Sequence, residues 1–175
     1  MRLVHVSEEP DIELFVPRIP YREDMDKTKG LVWALTDIQL TKFLTPRDCP
    51  RIAFRSDDAT AKEDVEKFFS SSSTHCIAIE HDWYARMAST TLFVYEFDTT
   101  HFYFNDTAGF YVSDQIEKPV SVTQYSDLFG ELFRRDVEVR IVNNLWSLAK
   151  KVKESSLHLS MCRMGNAKSA PVEGF

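Results

Sequence analysis

The signatures that identify most enzymes are missing from this 175-residue chain. It has no glycine-rich Walker loop and no GxGxxG turn to cradle phosphates. It has no HExxH and no paired CxxC to hold a metal, and no GxSxG elbow to expose a serine nucleophile. Cysteine is scarce: Cys49, Cys76 and Cys162 are odd in number and far apart, which excludes a disulfide frame and fits a reduced, cytoplasmic protein. No apolar run approaches ~18 residues and no apolar leader precedes a cleavage site, so neither a membrane span nor secretion is expected. His75, His81, His101 and His158 show no ligand-like spacing, so no metal is expected.

Positive charge is also short. The net charge of −6 argues against a general nucleic-acid binder. It is unevenly spread: residues 1–120 carry 13 basic and 21 acidic side chains, and residues 121–175 carry 8 and 6. Lys150, Lys151, Lys153, Arg163 and Lys168 therefore read either as a solvated helix surface or as a local basic face. The second reading leaves RNA as a conceivable partner.

What is abundant is ordinary globular material. Hydrophobic residues make up 43% and charged residues 27%, with thirteen Phe, six Tyr and three Trp. A strand-rich single domain over 1–165 with a flexible tail at 166–175 is expected. Residues 2–6 read as a strand, and a charged loop follows at 22–29. A second strand at 31–35 meets Thr36-Asp37-Ile38-Gln39, a capping-box pattern opening a helix to about Leu44. Strands follow at 51–55, 75–80, 91–97, 101–104, 109–113, 120–123 and 137–142. Helices are read at 61–69 (capped by Thr60 with Glu63), 82–88, 126–135 and 144–154. The order favours an α+β domain with a twisted, mostly antiparallel or mixed sheet and flanking helices.

Three groups could carry chemistry. His5 and Ser7 share one face of the first strand, because side chains alternate with period two. Two polar groups there need partners, and a ligand or the protein's own backbone would serve. Arg2, Arg18, Arg47 and Arg51 form the second group, and Arg47 and Arg51 frame the turn Thr45-Pro46-Arg47-Asp48-Cys49-Pro50. Each guanidinium there suits a phosphate or a neighbouring carboxylate. Tyr111 and Ser113 share a face after Gly109, with Glu96 before and Glu117 after, and either carboxylate could act as a base or stabilise positive charge.

The same residues resemble an uncharacterised bacterial family, mostly Gram-positive. The resemblance rests on Leu3–Pro10, Gly30-Leu31-Val32-Trp33-Ala34, Pro46–Arg51, Tyr95-Glu96-Phe97, Ala108–Ser113 and Ser160–Met164. His5-x-Ser7 followed by Gly30-x-x-Trp33-Ala34 more distantly resembles the start of ADP-ribosyltransferase-like domains. That resemblance implies a ligand of the NAD or ADP-ribose kind, with His5 on the nicotinamide ribose and Trp33 lining the nicotinamide pocket. Tyr111, Ser113 and Glu117 would then flank the acidic position. The chain departs from that pattern in placing Trp33 where a tyrosine is usual and in having no acidic residue at an unmistakable catalytic position. The alternative is a non-enzymatic binding module whose aromatic pocket, lined by Trp33, Tyr95 and Tyr111, takes a small molecule or a protein.

Overall fold

The computed structural model describes residues 1–21, 23–70, 72–107 and 109–171. Arg22 of the charged loop, Ser71, Ala108 and tail residues 172–175 lie outside the described residues. In chain order the elements are β1 (Leu3–Ser7), β2 (Val32–Ala34), α1 (Asp37–Leu40), β3 (Arg51–Arg55), α2 (Lys62–Phe68), β4 (His75–Glu80) and α3 (Tyr84–Ser89). These are followed by β5 (Leu92–Phe97), β6 (Tyr103–Asn105), β7 (Phe110–Ser113), β8 (Pro119–Tyr125), α4 (Leu128–Arg134), β9 (Val137–Val142), α5 (Trp146–Lys153) and β10 (His158–Cys162). The class is α+β, as the alternation of patterns implied. The strands lie in three sheets rather than one.

Contacts divide the chain into two compact units, the first formed by Met1–Leu44 with Thr91–Ser126. Its sheets run β1-β5-β8 and β2-β7-β6, all antiparallel. Leu3 pairs with Phe97 and His5 with Tyr95, so these four side chains share a face, while Val4 and Glu96 take the other. Leu3, Val32, Ala34 and Phe97 form a buried cluster with Phe15, Phe102 and Tyr111 packed against it. Burying a side chain of this size contributes about 1.5–3 kcal/mol. The helix expected over 36–44 splits into α1 and a tighter 3₁₀ turn at Thr41–Phe43, a common way for a short helix to end. Its start is as the sequence implied: the Thr36 amide donates to Gln39 Oε1 at 3.0 Å. Gln39 Nε2 then donates to the Gly109 carbonyl at 2.6 Å, tying the helix to the β6–β7 connection.

The second unit is Thr45–Thr90 with Asp127–Phe175. Its sheet runs β10-β3-β4-β9, with β4 and β9 parallel and the other pairs antiparallel. Ile52, Phe54, Cys76 and Ala78 project from one face onto Phe68 and Phe69 at the end of α2 and onto Ala149 and Val152 of α5. Cys76 is thus a small core residue. Burial pushes its thiol up to about 12.

Two local readings change here. Thr60 does not cap α2; its hydroxyl accepts from the Asp57 amide at 2.9 Å inside a tight turn, and Ala61 stands at the cap position. Strand β10 emerges where no strand was read, pairing along β3 from His158 opposite Arg55 to Cys162 opposite Arg51. Helix α4 opens on Asp127, whose Oδ1 accepts from the Gly130 amide at 2.8 Å. Only glycine fits there beside this cap, since a Cβ would come 1.9 Å from Asp127 Oδ2.

Candidate functional site

The first unit gathers most of the residues singled out. Strands β1 and β2 meet at one bridge, where Val4 and Leu35 exchange both backbone hydrogen bonds at 2.9 and 2.8 Å. Among the described residues that bridge is the whole of their ladder, so the two strands continue into separate sheets. His5 stands next to it, and its Nδ1 lies 3.0 Å from the Trp33 carbonyl oxygen. A carbonyl only accepts, so Nδ1 carries the hydrogen, and in the neutral ring Nε2 is then the acceptor. Two residues 28 positions apart in the chain thus fix one imidazole tautomer.

Trp33 contributes that carbonyl and not its ring. Its side chain alternates to the opposite face of β2 from Val32 and Ala34, and packs with Met25, Leu31, Val112 and Phe110. Tyr111 lies on the inner face against Ala34 and the Leu3 cluster, with its ring edge-on to Phe104 at 5.4 Å. Tyr95 is fully buried, and its hydroxyl donates to the Glu9 carbonyl at 2.8 Å and accepts from the Ile12 amide at 3.1 Å. Ser7 accepts from the Glu9 amide at 3.0 Å, the turn-capping role that its position allowed.

Glu117 is the buried carboxylate of this unit, 6% exposed. Its Oε1 accepts from the Ser113 hydroxyl at 2.5 Å and lies 3.3 Å from His101 Nδ1. Ser113 in turn accepts from the Gln115 amide at 3.1 Å, so the hydroxyl has one orientation. His101 was not among the residues singled out as functional. It is exposed and sits in the loop before β6, where only proximity in the fold reveals it. Phe15 joins the two groups: its ring lies 5.0 Å from the His5 ring, and its backbone exchanges hydrogen bonds of 2.8 and 3.0 Å with that of Glu117.

Glu96 points to the other face of the sheet. It accepts from Arg2 Nε at 2.9 Å while Arg2 Nη1 reaches Asp37 at 2.7 Å. These bonds, that to Glu96 first, hold the Arg2 guanidinium above its ordinary value. Arg47 and Arg51 belong to the second unit. Arg51 is 4% exposed and donates from Nη1 to the Cys49 carbonyl at 3.1 Å, and burial lowers its guanidinium. The Arg47 carbonyl accepts from Arg163 Nε at 3.2 Å and the Asp48 carbonyl from Asn166 Nδ2 at 2.8 Å. Side-chain donors thus hold three consecutive carbonyls of the Pro46–Pro50 turn. Among the described residues no three His, Cys, Asp or Glu side chains are placed to share a metal ion, and no helix is long and apolar enough to cross a membrane.

No curated protein and no solved structure matches the chain. A family of unknown function, DUF6886, matches residues 4–167.

Proposed function

The chain belongs to the DUF6886 family, whose function is unknown, and from its own residues we propose that the first unit is a nucleotide-binding module of the ADP-ribosyltransferase kind, taking NAD or an ADP-ribose-like ligand. The observation that carries this reading is the His5–Trp33 bond at the point where β1 and β2 part company. With Nδ1 placed against the Trp33 carbonyl, Nε2 is the ring nitrogen that would accept from a ribose hydroxyl.

Glu117 supplies the second half of the reading. Held by Ser113 and His101, it is a preorganised negative charge able to stabilise positive charge that develops at the ribose C1′. In the transfer, the bond from C1′ to the nicotinamide nitrogen breaks with its electrons on nicotinamide, and an acceptor nucleophile bonds to C1′. Positioning and electrostatics, rather than a strong nucleophile, are what this arrangement offers. Glu96, paired with Arg2 on the opposite face, has no part in it. The non-enzymatic aromatic-pocket reading has less support, because the Trp33 ring faces away from Tyr111. Three free cysteines fit a reducing compartment such as the bacterial cytoplasm.

The test is a thermal-shift scan against NAD, ADP-ribose, cyclic nucleotides and short RNA, repeated on His5→Ala. NAD or ADP-ribose at ~100 times its dissociation constant adds about 2.7 kcal/mol of stability to the wild type. His5→Ala is expected to lose that response. Silence toward both ligands at millimolar concentration would contradict the proposal.

A further inference from the structure

We infer that Phe15 is a built-in occupant of an aromatic-ring cage, carried on a strap of residues 9–18 that leaves the cage when the planar ring of a ligand takes its place. The inference rests on the proposed nucleotide reading, which makes nicotinamide that ring.

The cage is made by one face of the β1–β5 pair. Around the Phe15 ring stand His5 at 5.0 Å, Tyr95 at 5.2 Å and Phe97 at 5.0 Å, the last two edge-on to it. Edge-to-face contacts of this kind suit any flat aromatic, not phenylalanine alone. Phe15 is the one aromatic ring the strap inserts: it is half-buried, as is Pro17, while Leu14 and Val16 on either side of it are exposed. Over residues 14–18 the chain therefore alternates as an extended segment does, with Phe15 and Pro17 inward and Leu14, Val16 and Arg18 to solvent.

Among the described residues its moorings are discrete. Phe15 pairs with Glu117 and Arg18 with Leu31 through single bridges, and the Tyr95 hydroxyl pins Glu9 and Ile12. Pro17 rests against Gly30, where a Cβ would come within 2.9 Å of the Pro17 carbonyl, so the strap lies flat only because residue 30 is glycine. At the other end Asp11 holds φ 57°, a left-handed conformation uncommon outside glycine, which makes a corner where the strap turns. A segment joined to its neighbours by isolated bridges, and not by a continuous ladder, opens locally at less cost than the sheets beneath it. Because its central bridge is to the Glu117 backbone, release of Phe15 also frees the segment that presents the carboxylate.

Tyr95→Phe tests this, since it keeps the cage ring and removes only the hydroxyl that pins the strap. Amide exchange at Ile12, Phe15 and Arg18 is compared with that at Val4 and Leu35, and NAD binding is measured by calorimetry on both proteins. The closed strap lowers apparent affinity by the fraction of molecules that are open. The variant is therefore expected to bind NAD about tenfold more tightly, and its strap amides to exchange faster by a similar factor while Val4 and Leu35 are unchanged. In the wild type, NAD is expected to speed exchange at Phe15, which keeps the test independent of the variant's folding. Strap amides that exchange only as fast as Val4 and Leu35 would overturn the inference. So would NAD binding equally to both proteins with the strap undisturbed, although the nucleotide reading would then stand. A strap that opens as one unit in proteins that never bind NAD would instead overturn the nucleotide reading and keep the strap as a lid.

Discussion

Replacing Ser113 by alanine probes the carboxylate site without touching its charge. The Ser113 hydroxyl is fully buried, donates to Glu117 Oε1 at 2.5 Å and accepts from the Gln115 amide at 3.1 Å. A hydrogen bond to a charged group is worth about 1.5–3 kcal/mol, and a backbone donor left without its acceptor adds roughly 1 kcal/mol more. Alanine fills nearly the same space, so the cavity term is small and the expected loss is about 3 kcal/mol. For a chain of this length that corresponds to a fall in Tm of roughly 6–12 °C. Urea unfolding followed by circular dichroism gives the free energy, and a double-mutant cycle with Glu117→Ala isolates the pair. The cycle is expected to return a coupling of about 1–2 kcal/mol. A Ser113→Ala protein within about 0.5 kcal/mol of wild type, or strict additivity with Glu117→Ala, would refute the placement of a preorganised Glu117 carboxylate.

Two further outcomes concern the second unit. Glu80 is 1% exposed and its two oxygens accept from the Leu145 amide at 3.3 Å and the Lys168 amide at 3.0 Å. Glu80→Ala strands both donors and is expected to cost about 3–5 kcal/mol by chemical denaturation, with faster amide exchange at Lys168; unchanged exchange there would contradict it. Asp57 is held below its ordinary value of 3.8, first by its hydrogen bond with His158 and then by the Ala59 amide. Its folded value lies below the unfolded one, so its contribution is complete above about pH 5 and is lost as pH falls through the lowered value. His158→Gln is expected to flatten that acid limb in pH-dependent melts, and an unaltered limb would show that the pair does not contribute.

Much of the fold was legible because its strands are strongly patterned. Strands 51–55, 75–80 and 137–142 appear with the boundaries their apolar runs implied. The hairpin around Asn105-Asp106 and the Gln39 reach-back to Thr36 appear as local chemistry dictates. β10 was not read: His158-Leu159-Ser160-Met161 alternates polar and apolar residues but holds no β-branched residue and no Phe, Tyr or Trp, and it forms a strand because β3 offers an edge to pair with. Thr60 failed as a cap because Asp57, three residues earlier, competes for its hydroxyl. The site was half legible. His5, Ser113 and Glu117 stand on strands or beside them, where period two ordered their faces. The same period turned the Trp33 ring away from Tyr111, a consequence of the β2–β7 register that only pairing reveals. His101 and Phe15 come from loops, and nothing in their flanking residues announces the partners they meet.

The most direct measurement is a titration of NAD into protein carrying ¹⁵N-labelled histidine, following the imidazole nitrogens of His5 by NMR. A saturable shift is expected at Nε2 as it accepts a ribose hydroxyl, with Nδ1 remaining the protonated donor to Trp33. A His5 ring whose nitrogens do not move at millimolar NAD would contradict it.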